Sequence, residues 1–164
     1  MTSIIKVDTI QTSAGGTPTA SSLGIGGVGK IGQVVTANYT TTGATTNSST
    51  FTQIGPSLSI TPTSTSSKIM LFLNGGSVYT VSDRTAEITI YRDSTNLGQA
   101  NGMQRLFANT SYLQTATSVS YLDSPASTSA ITYAMYVKTT TTASNVSVQD
   151  TTTQISLTAM EVLA

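Results

Sequence analysis

Ile131-Thr132-Tyr133-Ala134-Met135-Tyr136-Val137-Lys138 is the stretch on which the fold turns. Ile131, Tyr133, Met135 and Val137 occupy every second position, with Thr132, Ala134 and Tyr136 between them. A period of two places these sets on opposite faces of a β-strand, one in a core and one in water. The same alternation recurs in Ile155-Ser156-Leu157-Thr158-Ala159, and around Ile88 and Ile90 set against Thr89 and Tyr91. No stretch past residue 30 carries a helical spacing of apolar positions.

Working outward from these segments, strands are expected over 33–39, 50–54, 58–61, 68–73, 77–81, 87–92, 98–107, 113–122, 130–138, 146–149 and 154–163. Turn residues punctuate them: Gly55-Pro56, Asn74-Gly75-Gly76, Asp93-Ser94-Thr95-Asn96 and Asp123-Ser124-Pro125. Residues 98–122 contain no proline and are interrupted around Asn109-Thr110-Ser111, which fits paired strands crossing a sandwich. Many short strands spaced by such turns predict an all-β fold, a β-sandwich of jelly-roll type.

The composition suits that architecture. At 164 residues the chain has room for one compact domain, and 38% hydrophobic residues are enough for its core. Charged residues are only 9%, against roughly 25% in an average soluble protein. Thr and Ser, about a third of the chain, fill the gap, and β-branched Thr fits a pleated, half-exposed surface. Seven Lys and Arg balance seven Asp and Glu, so no net field draws in nucleic acid or an anionic membrane. Cys and His are both absent. Disulfides, thiolate catalysis, thiolate zinc sites and the commonest general base go with them, and no enzyme, cofactor or metal site is expected. No apolar run reaches the length of about 20 residues that a membrane span needs, and the opening Met-Thr-Ser-Ile-Ile-Lys lacks a signal peptide's charged and apolar regions.

Residues 1–30 follow different rules from 31–164. Ile4, Ile5, Val7 and Ile10 alternate loosely with Lys6, Asp8 and Thr9, and Ser13-Ala14-Gly15-Gly16 reads as a turn. Thr17-Pro18 fits the cap and first position of a single helical turn through Leu23, and Gly24-Ile25-Gly26-Gly27-Val28-Gly29 is a hinge. The segment therefore reads as an extended N-terminal arm. Its four aliphatic residues need cover, either from another subunit or particle protein or, more simply, from an edge of the same domain.

Gly24, Gly26 and Gly29 match G-x-G-x-x-G, but a phosphate loop needs a following helix and Ile31-Gly32-Gln33-Val34-Val35 is strand-like. The N-x-[ST] triplets at Asn38, Asn47, Asn109 and Asn145 are what a Ser- and Thr-rich chain produces by chance. Asp83, Arg84, Glu87, Arg92 and Asp93 form the one dense charge cluster. A carboxylate pair there could cleave a glycoside, and ordinary cross-strand ion pairs explain it with less. Tyrosines spread along the sandwich are sheet residues at core edges and subunit contacts on strand preference alone. Exposed ones, with Tyr79, Tyr91 and Tyr112 as candidates, suit binding of a sugar or a protein, because a rigid apolar ring carries a polar tip.

Three blocks carry a family resemblance: Ile5-Lys6-Val7-Asp8-Thr9-Ile10-Gln11-Thr12 with Gly15-Gly16 and Leu23-Gly24-Ile25; residues 58–69, Leu-Ser-Ile-Thr-Pro-Thr-Ser-Thr-Ser-Ser-Lys-Ile; and residues 88–98, Ile-Thr-Ile-Tyr-Arg-Asp-Ser-Thr-Asn-Leu-Gly. They resemble segments of tail-fibre-like and other virion structural proteins of tailed bacteriophages, particularly marine ones. The resemblance implies a virion-located β-sandwich head, often a homotrimer, attached through Ile4, Ile5, Val7 and Ile10 of its arm and exposed for host attachment. This chain departs from longer fibres in having no coiled coil, triple-β shaft or repeat between arm and head. A short tail fibre, a capsid decoration or cement protein, and a carbohydrate-binding module are the alternatives the residues leave open.

Overall fold

The computed structural model describes residues 29–41, 43–81, 83–109, 111–140, 145–148 and 152–164. The arm's expected strand and helical turn, with Ile4, Ile5, Val7 and Ile10, lie outside them. Eleven strands are described: β1 (Ile31–Tyr39), β2 (Ala44–Thr46), β3 (Thr52–Ile60), β4 (Lys68–Thr80), β5 (Arg84–Arg92), β6 (Thr95–Asn96), β7 (Gln104–Ala108), β8 (Leu113–Asp123), β9 (Ile131–Thr139), β10 (Val146–Val148) and β11 (Ile155–Val162). No helix occurs among the described residues.

Eight of these strands make two antiparallel sheets. In the first, β1 pairs β11, β11 pairs β4 and β4 pairs β8; short β10 and β2 extend it beyond the far end of β11. In the second, β3 pairs β9, β9 pairs β5 and β5 pairs β7, with β6 beside the end of β5. Leaving aside short β2, β6 and β10, the chain passes from sheet to sheet at almost every step, and only β5 to β7 stays within one. Strand orders β1-β11-β4-β8 and β3-β9-β5-β7 with that path make a jelly roll.

The alternation that announced the strands also fills the core. Ile131, Tyr133, Met135 and Val137 from β9, Ile88 and Ile90 from β5, Leu71 and Leu73 from β4, and Ile155, Leu157 and Ala159 from β11 all face the space between the sheets, and nearly all are wholly buried. Removing such a Leu or Ile to Ala costs about 2–5 kcal/mol.

The structure adds two short strands that were not expected, β2 and β6, and corrects the expected list in four further places. The segments 50–54 and 58–61 are one strand, β3, and 68–73 and 77–81 are one strand, β4. Gly55-Pro56 and Asn74-Gly75-Gly76 are not turns but register shifts inside them. Gly55 has φ +117°, and a Cβ there would stand 2.5 Å from Met135 Sδ; Gly75 has φ +90°. Glycine thus lets the chain bulge and run on instead of reversing. Of the strand expected over 98–107, only the part from Gln104 onward forms, as β7 (Gln104–Ala108). Leu97 N and Met103 N still reach the β5 carbonyls of Ile90 and Ile88 at 3.0 and 2.8 Å, and residues 98–102 loop out between them. Finally, β7 and β8 do not pair with each other; the chain between them crosses from one sheet to the other.

The expectation of one wet face also fails on β5. Thr85, Glu87 and Thr89 alternate with the core residues and are buried too. The looped-out segment lies against Thr89 at Gly98, Arg105 and Lys138 cover Glu87, and Thr85 Oγ1 donates to Thr140 Oγ1 at 2.6 Å. Thr89 Oγ1 donates to Asn96 Oδ1 at 2.7 Å, and Lys138 Nζ donates to the Ala100 carbonyl at 2.7 Å.

Candidate binding surfaces

The sandwich has two unlike ends. At one, which we call the base, the chain enters: Gly29 N donates to Leu163 O at 2.7 Å and Leu163 N to Lys30 O at 2.8 Å, so β1 and β11 begin and finish together there. The connections from β3 to β4, from β5 to β7 and from β8 to β9 share this end. At the other, the distal end, lie the connections from β1 to β3, β4 to β5, β7 to β8 and β9 to β11.

Among the described residues seven large apolar side chains are exposed, and the register sorts them between these ends. Tyr79, Phe107, Tyr112 and Leu113 are distal; Ile31, Val34 and Leu122 are near the base. Tyr79, 39% exposed on the outer face of β4, is paired with Gln114, and its neighbour Thr80 with Leu113, which brings Tyr112 to the same corner. Phe107 is paired with Thr85, and Asp83 N closes the corner by donating to Ala108 O at 2.6 Å. Tyr112 is 69% exposed. Of the three candidate tyrosines, the structure therefore gathers Tyr79 and Tyr112 and leaves Tyr91 apart, close to the opposite end of β5.

Tyr91 stacks on Tyr136, ring centroids 4.0 Å apart and planes 25° apart, and meets Phe51 edge-on at 6.1 Å. Lys138 Nζ lies 4.6 Å from the centre of the Phe51 ring. These aromatic faces are spent on each other and on a cation, so this group stiffens the second sheet's outer face. Phe107 and Leu113 were not singled out from the sequence. The signal for Phe107 was there, since Leu106 faces inward and its neighbour must face out.

The charge cluster resolves into separate pairs. Glu87, 1% exposed, is in register with Arg105 on β7 and Lys138 on β9, and its oxygens lie 3.2 Å from Arg105 Nε and 3.2 Å from Lys138 Nζ. Asp93 accepts from Thr132 N at 3.0 Å. Arg92 Nη1 donates to both oxygens of buried Asp123, at 2.9 and 3.1 Å, and the Tyr133 hydroxyl donates to the same carboxylate at 2.6 Å. This group ties β8 of one sheet to β5 and β9 of the other. Burial, then the Asp123 hydrogen bond and charge, push the Tyr133 phenol far above its ordinary range.

A third buried carboxylate, Glu161, sits at the base. Thr63 N and Oγ1 donate to its Oε1 at 2.6 and 2.7 Å, and Gln33 Nε2 donates to its Oε2 at 2.7 Å. Burial alone would raise the Glu161 carboxyl, but hydrogen bonds from Gln33 and Thr63 outweigh it and hold it down at about 2. Glu161 and Asp123 could have been found by continuing the alternation: Ile155, Leu157, Ala159 leads to Glu161, and Val119, Tyr121 leads to Asp123. Among the described residues no three acidic side chains converge as metal ligands.

No family model matches this chain, and no curated protein matches it. Among solved structures it is similar to a chain in the structure of infectious bursal disease virus Gx strain, at 12% identity and a TM-score of 0.36. The match covers 80% of this chain and 37% of that one.

Proposed function

We propose that this protein is a structural component of a tailed-bacteriophage virion. Its arm, through Ile4, Ile5, Val7 and Ile10, docks to the particle, and its jelly-roll head presents the distal end to the host surface. The observation that carries the reading is polarity. The arm joins the head at Gly29 and Lys30, and the exposed Tyr79, Phe107, Tyr112 and Leu113 stand at the other end. The 13 residues of β4 separate those ends by about 40 Å. An attached module needs that arrangement, and the resemblance of the arm and of residues 58–69 and 88–98 to phage virion proteins agrees with it.

The reading takes the chain to be structural rather than catalytic. What supports this is how its charges are used: Glu87, Asp93, Asp123 and Glu161 each hold strands or loops together through a named partner. The distal end offers tyrosine and phenylalanine among hydroxyl side chains, which suits an uncharged glycan or a protein loop. A capsid decoration protein is the second reading, favoured by the direct passage from Gly29 into β1 with no shaft between.

The test is electron microscopy and composition of particles made with the full chain, with residues 29–164 alone, and without the protein. The reading expects the full chain on the particle, the truncated head folded but missing from it, and host adsorption reduced by Tyr79→Ala with Tyr112→Ala. Normal adsorption combined with lowered heat or osmotic tolerance on deletion favours decoration. Absence of the full chain from particles refutes both.

A further inference from the structure

The three exposed apolar residues near the base belong to one feature. Ladder partners in the first sheet place Val34 beside Met160, Met160 beside Met70, and Met70 beside Leu122. These four side chains form a row on the outer face, running across β1, β11, β4 and β8. Val34 is 54% and Leu122 48% exposed, and the two methionines are partly so. On the base side the next row is Ile31, Val162 and Lys68; on the other side it is Thr36, Thr158, Phe72 and Ser120. Lys68 is the one charged side chain in these three rows.

The outer face of the other sheet is unlike this, for it carries Glu87, Arg105 and Lys138 and is partly roofed by residues 97–103. An apolar centre depleted of charge, with a polar border, is the make-up of a protein interface. Met side chains in its middle can repack against a facing surface.

We infer that this face binds a second copy of this chain, the two rows lying on each other about a two-fold axis parallel to the row. The geometry favours that occupant for two reasons. An isologous contact presents the same residues from both sides, so every apolar side chain in the row meets another. The same rotation exchanges the flanking rows, which sets Lys68 of one copy over the Phe72 ring and the Thr158 and Ser120 hydroxyls of the other. There a cation finds an aromatic face and hydroxyl acceptors instead of a second Lys68. Three copies meeting with strands parallel to a common axis bring their Lys68 side chains level with one another, so the charge opposes the three-fold arrangement that the phage resemblance implies.

The face comes close to the size required. Four strands about 4.8 Å apart and seven residues long present roughly 450 Å² of flat face per copy, and two facing copies bury about 900 Å² before side-chain relief is counted, close to the roughly 1,000 Å² of a specific interface.

The absence of Cys makes the test direct. Light scattering on the intact chain should give the mass of two copies. Val34→Lys with Leu122→Lys should give the mass of one folded copy, since both side chains are about half exposed in the single chain, and its melting temperature should no longer rise with protein concentration as that of the paired wild type does. A short bis-maleimide should link Val34→Cys to itself and leave Tyr112→Cys, at the distal end, unlinked. A wild-type mass of one or three copies, a double-lysine variant that still pairs, or equal linking at both cysteines overturns the inference. It extends the proposed function without depending on it: pairs that are missing from particles would refute the virion role alone, and single copies on particles would refute the pairing alone.

Discussion

Glu161→Gln removes one charge from the base of the sandwich and changes almost nothing in shape. The carboxylate accepts three hydrogen bonds of 2.6 to 2.7 Å, two on Oε1 from Thr63 and one on Oε2 from Gln33. A glutamine must turn its amide nitrogen toward one of these donor sets, so at least one bond becomes a donor facing a donor, and the remainder lose their charge assistance. A hydrogen bond to a charged group contributes about 1.5–3 kcal/mol and a neutral one about 1, and a buried donor left unpaired costs a further 1–3. The expected loss is therefore about 2–4 kcal/mol at neutral pH, or roughly 6–12 °C in melting temperature for a domain of this size.

The pH dependence isolates the cause. The folded-state carboxyl is held at about 2, below its ordinary value of 4.5. Its stabilising contribution is complete above that ordinary value and disappears as pH falls through about 2. Melting curves by circular dichroism, from pH 7 down to the lowest pH at which both proteins still fold, should show the gap between wild type and variant narrowing below about pH 4.5, because every other group titrates alike in both. A gap that stays constant with pH, or a variant as stable as wild type at pH 7, would refute the assignment of Glu161 as an ionised strand-to-loop clamp.

Gly102→Ala should destabilise by about 3 kcal/mol or more, since the new Cβ would lie 2.5 Å from the Ile88 carbonyl oxygen at φ +81°; Gly43→Ala, at φ +70° but with open space around it, should cost only about 1. Chemical denaturation of the two variants makes the comparison. Asp123→Asn should cost about 3–5 kcal/mol by leaving Arg92 without its anion, and Tyr133→Phe about 1–2. The double mutant should cost less than the sum, a coupling that thermal or urea unfolding reads directly. Truncation to residues 29–164 should leave the melting temperature of the head unchanged, whereas cutting after Lys30 should lower it, because Gly29 and Lys30 bond the backbone of Leu163.

What the sequence by itself determined was the all-β character, the place of most of the strands and which side of each alternating segment carries the core residues. Alternation is a local property: once Ile131, Tyr133, Met135 and Val137 share a face, backbone geometry alone makes that face apolar, and the same holds for Ile155, Leu157 and Ala159. The same rule, carried two residues further, reaches Glu161 and Asp123, although nothing local says that Thr63, Gln33, Arg92 and Tyr133 would come to meet them. Strand order, the two bulges at Gly55 and Gly75, and the burial of Thr85, Glu87 and Thr89 on a face expected to be wet were decided only in three dimensions. So was the sorting of exposed apolar residues, with Tyr79 beside Tyr112 and Val34 in one row with Leu122. Each depends on which distant strand becomes a neighbour, and residues 88 positions apart are brought into line by hydrogen-bonded register rather than by anything written between them.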